Sequence, residues 1–144
     1  MAHALGIARE AASAGEIPVG ALVVRGGVIL GKGRDAREAT SDPTAHAEVL
    51  ALREACARAG SWRIPGAELF VTLEPCIMCM GAILGARIER VVYGARSPKS
   101  GAVESLVELA RVPGLNHGVK VRSGVLETEC AELLTTFFDK LRSG

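Results

Sequence analysis

The sequence has no long apolar segment, no marked excess of one charge and no internal repeat. Its longest nearly uncharged apolar stretch, residues 76–86, is too short to span a bilayer and has the length of a buried helix. The N-terminal residues become charged at Arg9 before any apolar core of signal-peptide length. We therefore expect neither membrane insertion nor secretion, and a cytoplasmic location.

The net charge is close to zero: 17 basic and 16 acidic residues give +1 at pH 7. Proteins that hold nucleic acid through bulk electrostatics usually carry a strong basic excess. Any polynucleotide contact must therefore come from a local patch, and small-molecule substrates stay open. The chain has 144 residues, of which 49% are hydrophobic. At about 100–200 residues per domain, residues 1–144 are expected to form one folded domain.

Cysteine is scarce as well, with four residues in the chain. Without an export signal, a Cys-x-x-Cys pair such as Cys76 and Cys79 more often indicates metal or redox chemistry than a disulfide framework. Cys56 lies on an apolar helical stripe, and Cys130 lies in the predicted C-terminal helix. Both are expected to be small buried core residues.

Turn residues and apolar periodicity predict a hairpin around Gly26-Gly27, followed by alternating helices and strands. Such alternation favours parallel strands with helices on both faces of the sheet. We predict an α/β fold, a three-layer α/β/α sandwich around a mixed sheet of about five strands. One helix is expected to begin at Asp42-Pro43. The predicted helices are 2–14, 42–60, 75–85, 103–110 and 127–141, and the predicted strands are 18–25, 28–31, 68–73, 90–94 and 119–125.

His46 and Glu48 lie in the first turns of one predicted helix, and Cys76 and Cys79 lie in the first turns of another. Residues three apart share a helix face, so the two cysteines can bind one ion, and a helix N-terminus favours the thiolate. With His46 they supply three ligands and no fourth is nearby, which is typical of a catalytic zinc with one position open to water. Such a zinc ion makes hydroxide available near neutral pH. Glu48 suits proton transfer better than ligation.

Two other interpretations of this cluster stay open. A Cys-x-x-Cys pair can be a redox couple, and a zinc ion can have a closed, purely structural shell. Helix geometry adds a condition, because His46 and Glu48 would be about 200° apart on a regular helix. Both can reach one ion only if the ion lies beyond the helix end, which a start at Asp42-Pro43 permits.

His-x-Glu followed by Pro-Cys-x-x-Cys is the signature of zinc-dependent nucleobase deaminases. The chain resembles the cytidine-deaminase superfamily and, within it, the bacterial tRNA-specific adenosine deaminases. The likeness runs nearly end to end. It includes IPVGA at residues 17–21, DPTAHAE at 42–48, VTLEPC-x-MC at 71–79, VVYGA at 91–95, Lys-Ser-Gly at 99–101 and PG-x-NH at 113–117.

This resemblance implies that His46, Cys76 and Cys79 hold one Zn²⁺ per chain and that Glu48 transfers protons. The implied reaction is hydrolytic deamination of adenosine to inosine at the wobble position of a tRNA anticodon loop, a single-stranded base that can enter a pocket. The resemblance also implies a homodimer with part of residues 76–86 at the interface.

The same resemblance implies a set of substrate-binding residues. Ile17, Pro18 and Val19 would wall the pocket, and Ala47 would line it beside the histidine ligand. Arg96 and Lys99 bracket a loop and are candidates for phosphate contact, although a solvated surface charge is the alternative for each.

Two positions depart from the family pattern. Asp35 stands where the family usually places an Asn that hydrogen-bonds the base, and an ionised Asp can only accept a hydrogen bond. Ser97 stands where the family usually has an Asp that contacts the flanking ribose. At both positions the alternative is a loop residue that contacts only solvent. If both residues do contact the substrate, an altered substrate specificity is also possible. We expect Asp35→Asn to increase turnover on an adenosine-containing anticodon loop, because an amide restores a donor.

Three functions are compatible with these residues. The first is tRNA adenosine deamination. The second is deamination of a free base or nucleoside (guanine, cytosine or a related ring), which the near-neutral charge and Asp35 favour. The third is a catalytically silent zinc scaffold that binds RNA or a partner, which Glu48 disfavours because a structural site has no need of that carboxylate.

Aromatic residues make up 3% of the chain, so each is an informative position. We expect Trp62 to pack against the fold, Tyr93 to be half-buried in the sheet, and Phe137-Phe138 to dock the last helix.

Overall fold

The computed structural model describes residues 1–144 and contains a five-stranded mixed sheet in the order β2-β1-β3-β4-β5. β1 is antiparallel to both of its neighbours, whereas β3, β4 and β5 run parallel. The mixed sheet of five strands predicted from the sequence is confirmed. The strands are β1 (Gly20–Arg25), β2 (Val28–Arg34), β3 (Glu68–Leu73), β4 (Arg90–Ala95) and β5 (Lys120–Arg122).

Helices cover both faces of the sheet. The helices are α1 (Ala2–Ser13), α2 (Arg37–Thr40), α3 (Ala47–Ala59), α4 (Ile77–Gly85) and α5 (Glu127–Ser143). The pair α1 and α5 packs on one face, and the pair α3 and α4 packs on the other, which gives the predicted three layers. None of these helices combines the length and apolar composition that a membrane span requires.

Small residues bring α3 unusually close to β2. Ala47, Ala51 and Ala55 follow each other at helical spacing and are fully buried. They face Gly31 and Gly33 of β2, where an added Cβ would collide with the carbonyl oxygens of Ala51 and Ala47 respectively. Because the first turn of α3 rests directly on Gly33, the strand fixes where that helix begins.

The helix predicted from Asp42-Pro43 begins five residues later, at Ala47. Oδ1 of Asp42 accepts hydrogen bonds from the amide of Thr44 at 2.8 Å and from its hydroxyl at 2.7 Å. Asp42 therefore closes a local turn instead of capping the helix. The cap is His46, whose extended backbone (φ −78°, ψ 152°) leaves it just outside α3.

The predicted helix at 103–110 is also wrong. The backbone amides of Val103, Glu104 and Ser105 donate to the carboxylate of Glu74, and only a 3₁₀ turn follows at Leu109–Arg111. The short helix α2 lies between β2 and α3, where no helix was predicted, and the last strand, predicted at 119–125, is confined to three residues.

Two aromatic residues differ from expectation in opposite directions. Trp62 is 62% exposed, with the guanidinium of Arg63 4.2 Å from its ring centroid, so it does not pack into the fold. Tyr93 is fully buried instead of half-buried. Glu104 accepts a hydrogen bond from its hydroxyl, which satisfies the polar end of the buried side chain. Of the two predicted core cysteines, Cys130 is buried and Cys56 is only half-buried.

Candidate active site

A cavity of about 640 Å³ opens at the end of the sheet where β3 and β4 finish. The carboxyl ends of parallel strands are where α/β sheets usually carry their sites. The first residues of α3 and α4 line the cavity together with the segments before β1, after β2 and after β4, and with one face of α5. The fold therefore brings six separate parts of the chain to one place.

His46, Cys76 and Cys79 form a compact cluster at this end of the sheet. His46 and Cys76 are the N-caps of α3 and α4, and Cys79 lies in the first turn of α4. Nδ1 of His46 is 3.7 Å from Sγ of Cys76 and 3.5 Å from Sγ of Cys79. All three ligand atoms lie within 4.8 Å of one another.

These distances fit a metal ion. Nitrogen and sulfur ligands bound tetrahedrally at usual zinc bond lengths are separated by about 3.6 Å. The donor set of two sulfurs and one imidazole is one that soft or borderline ions prefer. These three residues could hold a metal ion, and no fourth protein ligand completes the group.

The charges within the cluster favour ligation. A hydrogen bond with the Cys79 thiol lowers the pKa of Cys76 to about 3, so Cys76 is a thiolate, and the same interaction raises the pKa of Cys79. The hydrogen bond to Cys76 raises the pKa of His46. The thiolate is the ligand form of cysteine, so Cys76 is ready to bind a cation.

Glu48 is the acidic group beside the cluster of His46, Cys76 and Cys79. It lies in the first turn of α3, is only 4% exposed and lines the same cavity as His46 and Cys76. Burial raises its pKa to about 7, which is where a carboxyl group can both take up and release a proton near neutral pH. His46 and Glu48 can both face the cavity because His46 is the N-cap residue. Its extended backbone frees its side chain from the angular spacing that a regular helix would impose.

Most of the predicted substrate-binding residues line the cavity, and two do not. Pro18 is fully buried behind the cavity wall, and Arg96 is exposed outside it. Those in the lining are Ile17, Val19, Asp35, Ala47, Ser97 and Lys99.

Asp35 does not offer an unpaired carboxylate to a ligand. Oδ1 accepts from Nε of Arg37 at 3.1 Å and from the Arg37 backbone amide at 3.1 Å, and Oδ2 is 2.8 Å from Nη2 of Arg37. Asp35 therefore lines the cavity as half of an ion pair and not as a bare acceptor, because a guanidinium holds both oxygens. Arg37 has no predicted role from the sequence, although an Asp-x-Arg spacing in a substrate loop is a signal for such a pair.

Sequence reasoning also missed two further parts of the site. Glu74 is 2% exposed and binds the loop after β4 through the amide of Ser97 as well as those of residues 103–105. The face of α5 that lines the cavity carries Phe138, which is 39% exposed at the rim and not docked against the sheet. The adjacent aromatic residues Phe137 and Phe138 in the C-terminal helix were the sequence feature from which this part of the cavity lining could have been predicted.

The chain also matches a known protein family over nearly its whole length. Residues 1–142 fit the family described as MafB19-like deaminase. The chain belongs to this deaminase family. It is an enzyme of the deaminase class, and the fold is that of the cytidine-deaminase-like enzymes, as the resemblance implied.

The curated relatives of this deaminase are of similar length. It is 45% identical to the tRNA-specific adenosine deaminase of Bacillus subtilis (strain 168) over 142 residues, covering 99% of this chain and 88% of that protein. It is 48% identical to the tRNA-specific adenosine deaminase of Aquifex aeolicus (strain VF5) over 140 residues, covering 97% and 92%. The resemblance to the bacterial tRNA-specific enzymes is confirmed.

Solved structures of two functional classes share the fold. A structure from work on A-to-I editing by tRNA:A34 deaminases at the wobble position superposes with a TM-score of 0.88 at 46% identity, covering 91% of this chain and 95% of that one. The guanine deaminase of Nitrosomonas europaea superposes with a TM-score of 0.79 at 27% identity, covering 94% and 81%.

Proposed function

We propose that this protein deaminates adenosine to inosine at the wobble position of a tRNA anticodon loop, with one Zn²⁺ per chain as cofactor and residues 1–144 acting as one deaminase domain. The observation that carries the proposal is the presence of buried Glu48 and the His46, Cys76 and Cys79 cluster in one cavity. The tRNA-specific relatives at 45–48% identity support the choice of substrate.

Zinc is the metal that best suits this ligand set. Two cysteine sulfurs and one imidazole would hold the ion, and three protein ligands are the number found in catalytic zinc sites. Bound zinc supplies a Lewis acid that makes water nucleophilic near neutral pH. The burial of Cys79 and the half-burial of Cys76 shield the two sulfur atoms from bulk water.

Glu48 moves the protons of the reaction. Water adds to C6 of adenine and the C6–N bond breaks, so adenosine and water become inosine and ammonia. The Glu48 carboxylate takes a proton from the water and delivers it to the ring nitrogen. It then takes the proton of the new hydroxyl group on C6 and delivers it to the leaving amine, which departs as ammonia. Its pKa of about 7 keeps both forms available at working pH.

The cavity walls position the base. Ile17, Val19 and Ala47 provide apolar surface, while Ser97 and Lys99 offer a hydroxyl and a cation for the ribose and phosphate. Pro18, buried behind the wall, fixes the backbone of its two neighbours. Arg96 is exposed on the same loop and is placed to meet the RNA backbone outside the cavity.

A homodimer through the outer face of α4 completes the proposal. Ile77 and Met78 at the start of this apolar helix are 57% and 37% exposed, and Trp62, which lines a groove with Ala82 of the same helix, is 62% exposed. Exposed apolar side chains grouped in this way mark an association surface. We expect a dimer by sedimentation and a monomer for Ile77→Glu, whereas a wild-type monomer would contradict the interface. A tRNA substrate also agrees with a cytoplasmic location.

Deamination of a free base is the second candidate function. The similarity to the guanine deaminase of Nitrosomonas europaea and the near-neutral charge favour it. The two candidates separate when zinc-loaded protein is offered an anticodon stem-loop, unmodified tRNA, and a panel of free bases and nucleosides. We expect inosine in the RNA and ammonia in equal amount. Ammonia from a free base with no inosine in the RNA would replace the first candidate by the second.

A further inference from the structure

We propose that Asp35 and Arg37 act as one unit, in which Arg37 donates hydrogen bonds to a phosphodiester oxygen of the substrate strand and Asp35 only holds Arg37 in place. This inference rests on the proposed RNA substrate and adds a specificity-determining residue to it. The geometry of the ion pair is the first observation that carries it.

The pair leaves Arg37 with donors to spare. A guanidinium has five N–H groups, and Asp35 takes two of them, one from Nε and one from Nη2. Nη1 makes no hydrogen bond to the protein. Three N–H groups thus remain on a side chain that lines the cavity and is 35% exposed, whereas the Asp35 side chain is 5% exposed. The accessible member of the pair is the donor.

A second buried carboxylate fixes the backbone beneath Arg37. Glu16 is 3% exposed, and its two oxygens accept the amides of Glu38 at 3.1 Å and Ala39 at 2.8 Å. The short helix α2 is therefore tied at its first turn, and the Arg37 side chain is tied by Asp35. A cation held in this way loses little freedom on binding, which is the condition for a strong and selective contact.

The position of Arg37 favours a strand over a free base. Arg37 lines the catalytic cavity and also a neighbouring cavity of about 620 Å³, whose walls include Glu16, Phe137 and Leu141. A nucleotide chain whose target base occupies the first cavity must continue past its rim. A guanidinium where two cavities meet suits the phosphodiester there, since its planar fork matches two phosphate oxygens.

The test compares catalytic efficiency on an anticodon stem-loop with that on free adenosine. Arg37→Ala should lower kcat/KM on the stem-loop by about 10- to 100-fold, the range for a lost charge-assisted hydrogen bond, mainly through KM. The loss on free adenosine, which has no phosphodiester, should be smaller than the loss on the stem-loop, and the salt dependence of binding should fall by roughly one phosphate contact. Arg122→Ala, which removes an exposed arginine from β5 outside both cavities, is the matched control.

Asp35 is distinguished as a positioning residue by a double-mutant cycle. Because Arg37 pairs with both oxygens of Asp35, Asp35→Asn should lower stem-loop efficiency in the wild-type background, contrary to the increase expected from the sequence. It should have no further effect when Arg37 is already alanine. The double variant also avoids an unpaired buried carboxylate, so it stays informative if Arg37→Ala alone is unstable. Zinc content and thermal unfolding establish that each variant is folded.

Substrate analogues identify the acceptor. A neutral methylphosphonate next to the target nucleotide should reduce the efficiency of the wild type and not that of Arg37→Ala. Equal sensitivity of both proteins, or an unaltered Arg37→Ala enzyme, would overturn the inference. So would loss of the Arg37 effect on 7-deaza-adenosine substrates, which would assign the contact to the base. If the wild type forms no inosine in the stem-loop, the proposed function itself fails.

Discussion

Replacing Glu74 by Gln should destabilise the protein, because the Glu74 carboxylate accepts more hydrogen bonds than an amide oxygen and NH₂ group can keep. The Glu74 carboxylate accepts the amides of Ser97 at 3.1 Å, Val103 at 3.1 Å, Glu104 at 2.8 Å and Ser105 at 2.9 Å, together with the Ser105 hydroxyl. These hydrogen bonds fix the loop between β4 and the 3₁₀ turn, and they satisfy backbone amides that helical hydrogen bonds would otherwise satisfy.

A glutamine has one side-chain oxygen, so it can accept at only one of the two carboxylate oxygen positions. If that oxygen faces the amides of residues 103–105, the NH₂ group faces the amide of Ser97, and two donors then oppose each other. Losing one hydrogen bond to a charged group costs about 1.5–3 kcal/mol. We expect the free energy of unfolding to fall by about that amount, and KM for an RNA substrate to rise because the loop that carries Ser97 loosens.

Urea unfolding of zinc-loaded protein measures the effect, with Glu108→Gln as the matched control, since Glu108 lies exposed in the same loop and its side chain has no hydrogen-bond partner. Burial opposes the ionisation of Glu74, but the hydrogen bonds from the Ser105 hydroxyl and the amides outweigh it and lower the pKa of Glu74. Its contribution is therefore present above the unfolded value of 4.5 and is lost as pH falls through the lower folded value. A Glu74→Gln variant as stable as the control at neutral pH would refute this role of Glu74 in the loop.

Two further predictions concern the metal cluster and its support. Cys76→Ala or Cys79→Ala should abolish both bound zinc and activity, since each removes one of only three ligands; full zinc occupancy by elemental analysis in both variants would take these residues out of the ligand set. Gly33→Ala should destabilise by about 1–3 kcal/mol and weaken zinc binding, because the new methyl group displaces the start of α3. Gly6→Ala, whose Cβ meets nothing within 4 Å, is its control, and equal effects of the two substitutions would contradict the close packing.

The cluster of His46, Cys76 and Cys79 could be predicted from the sequence because the spacing of these residues and their positions at helix N-termini are local properties. His46, Cys76 and Cys79 needed only two helices that begin at one edge of a parallel sheet, and alternation of elements predicts that arrangement. The parallel direction of β3, β4 and β5 followed from the same alternation. The cluster was thus a consequence of short-range signals.

The loops around the cluster could not be predicted in the same way. Glu74 acts on amides that follow it by 23 to 31 residues, and propensity within residues 103–110 carries no information about that partner. The sequence shows Asp35 as a carboxylate that can only accept hydrogen bonds. In the structure, Arg37, two residues later, already occupies both of its oxygens. Asp42 satisfied a helix-capping pattern and a turn pattern equally well, and only the contact of α3 with Gly33 places the helix start.

Inosine formation by zinc-loaded wild type and Glu48→Gln on one anticodon stem-loop tests the central claim most directly. Because Glu48 is the proton carrier and not a ligand, the variant should fold, keep one zinc per chain and lose about 10²–10⁴-fold in rate. A variant that keeps most of the wild-type rate would contradict the assignment of Glu48. A variant that loses its zinc would place Glu48 among the ligands and contradict its role as the proton carrier.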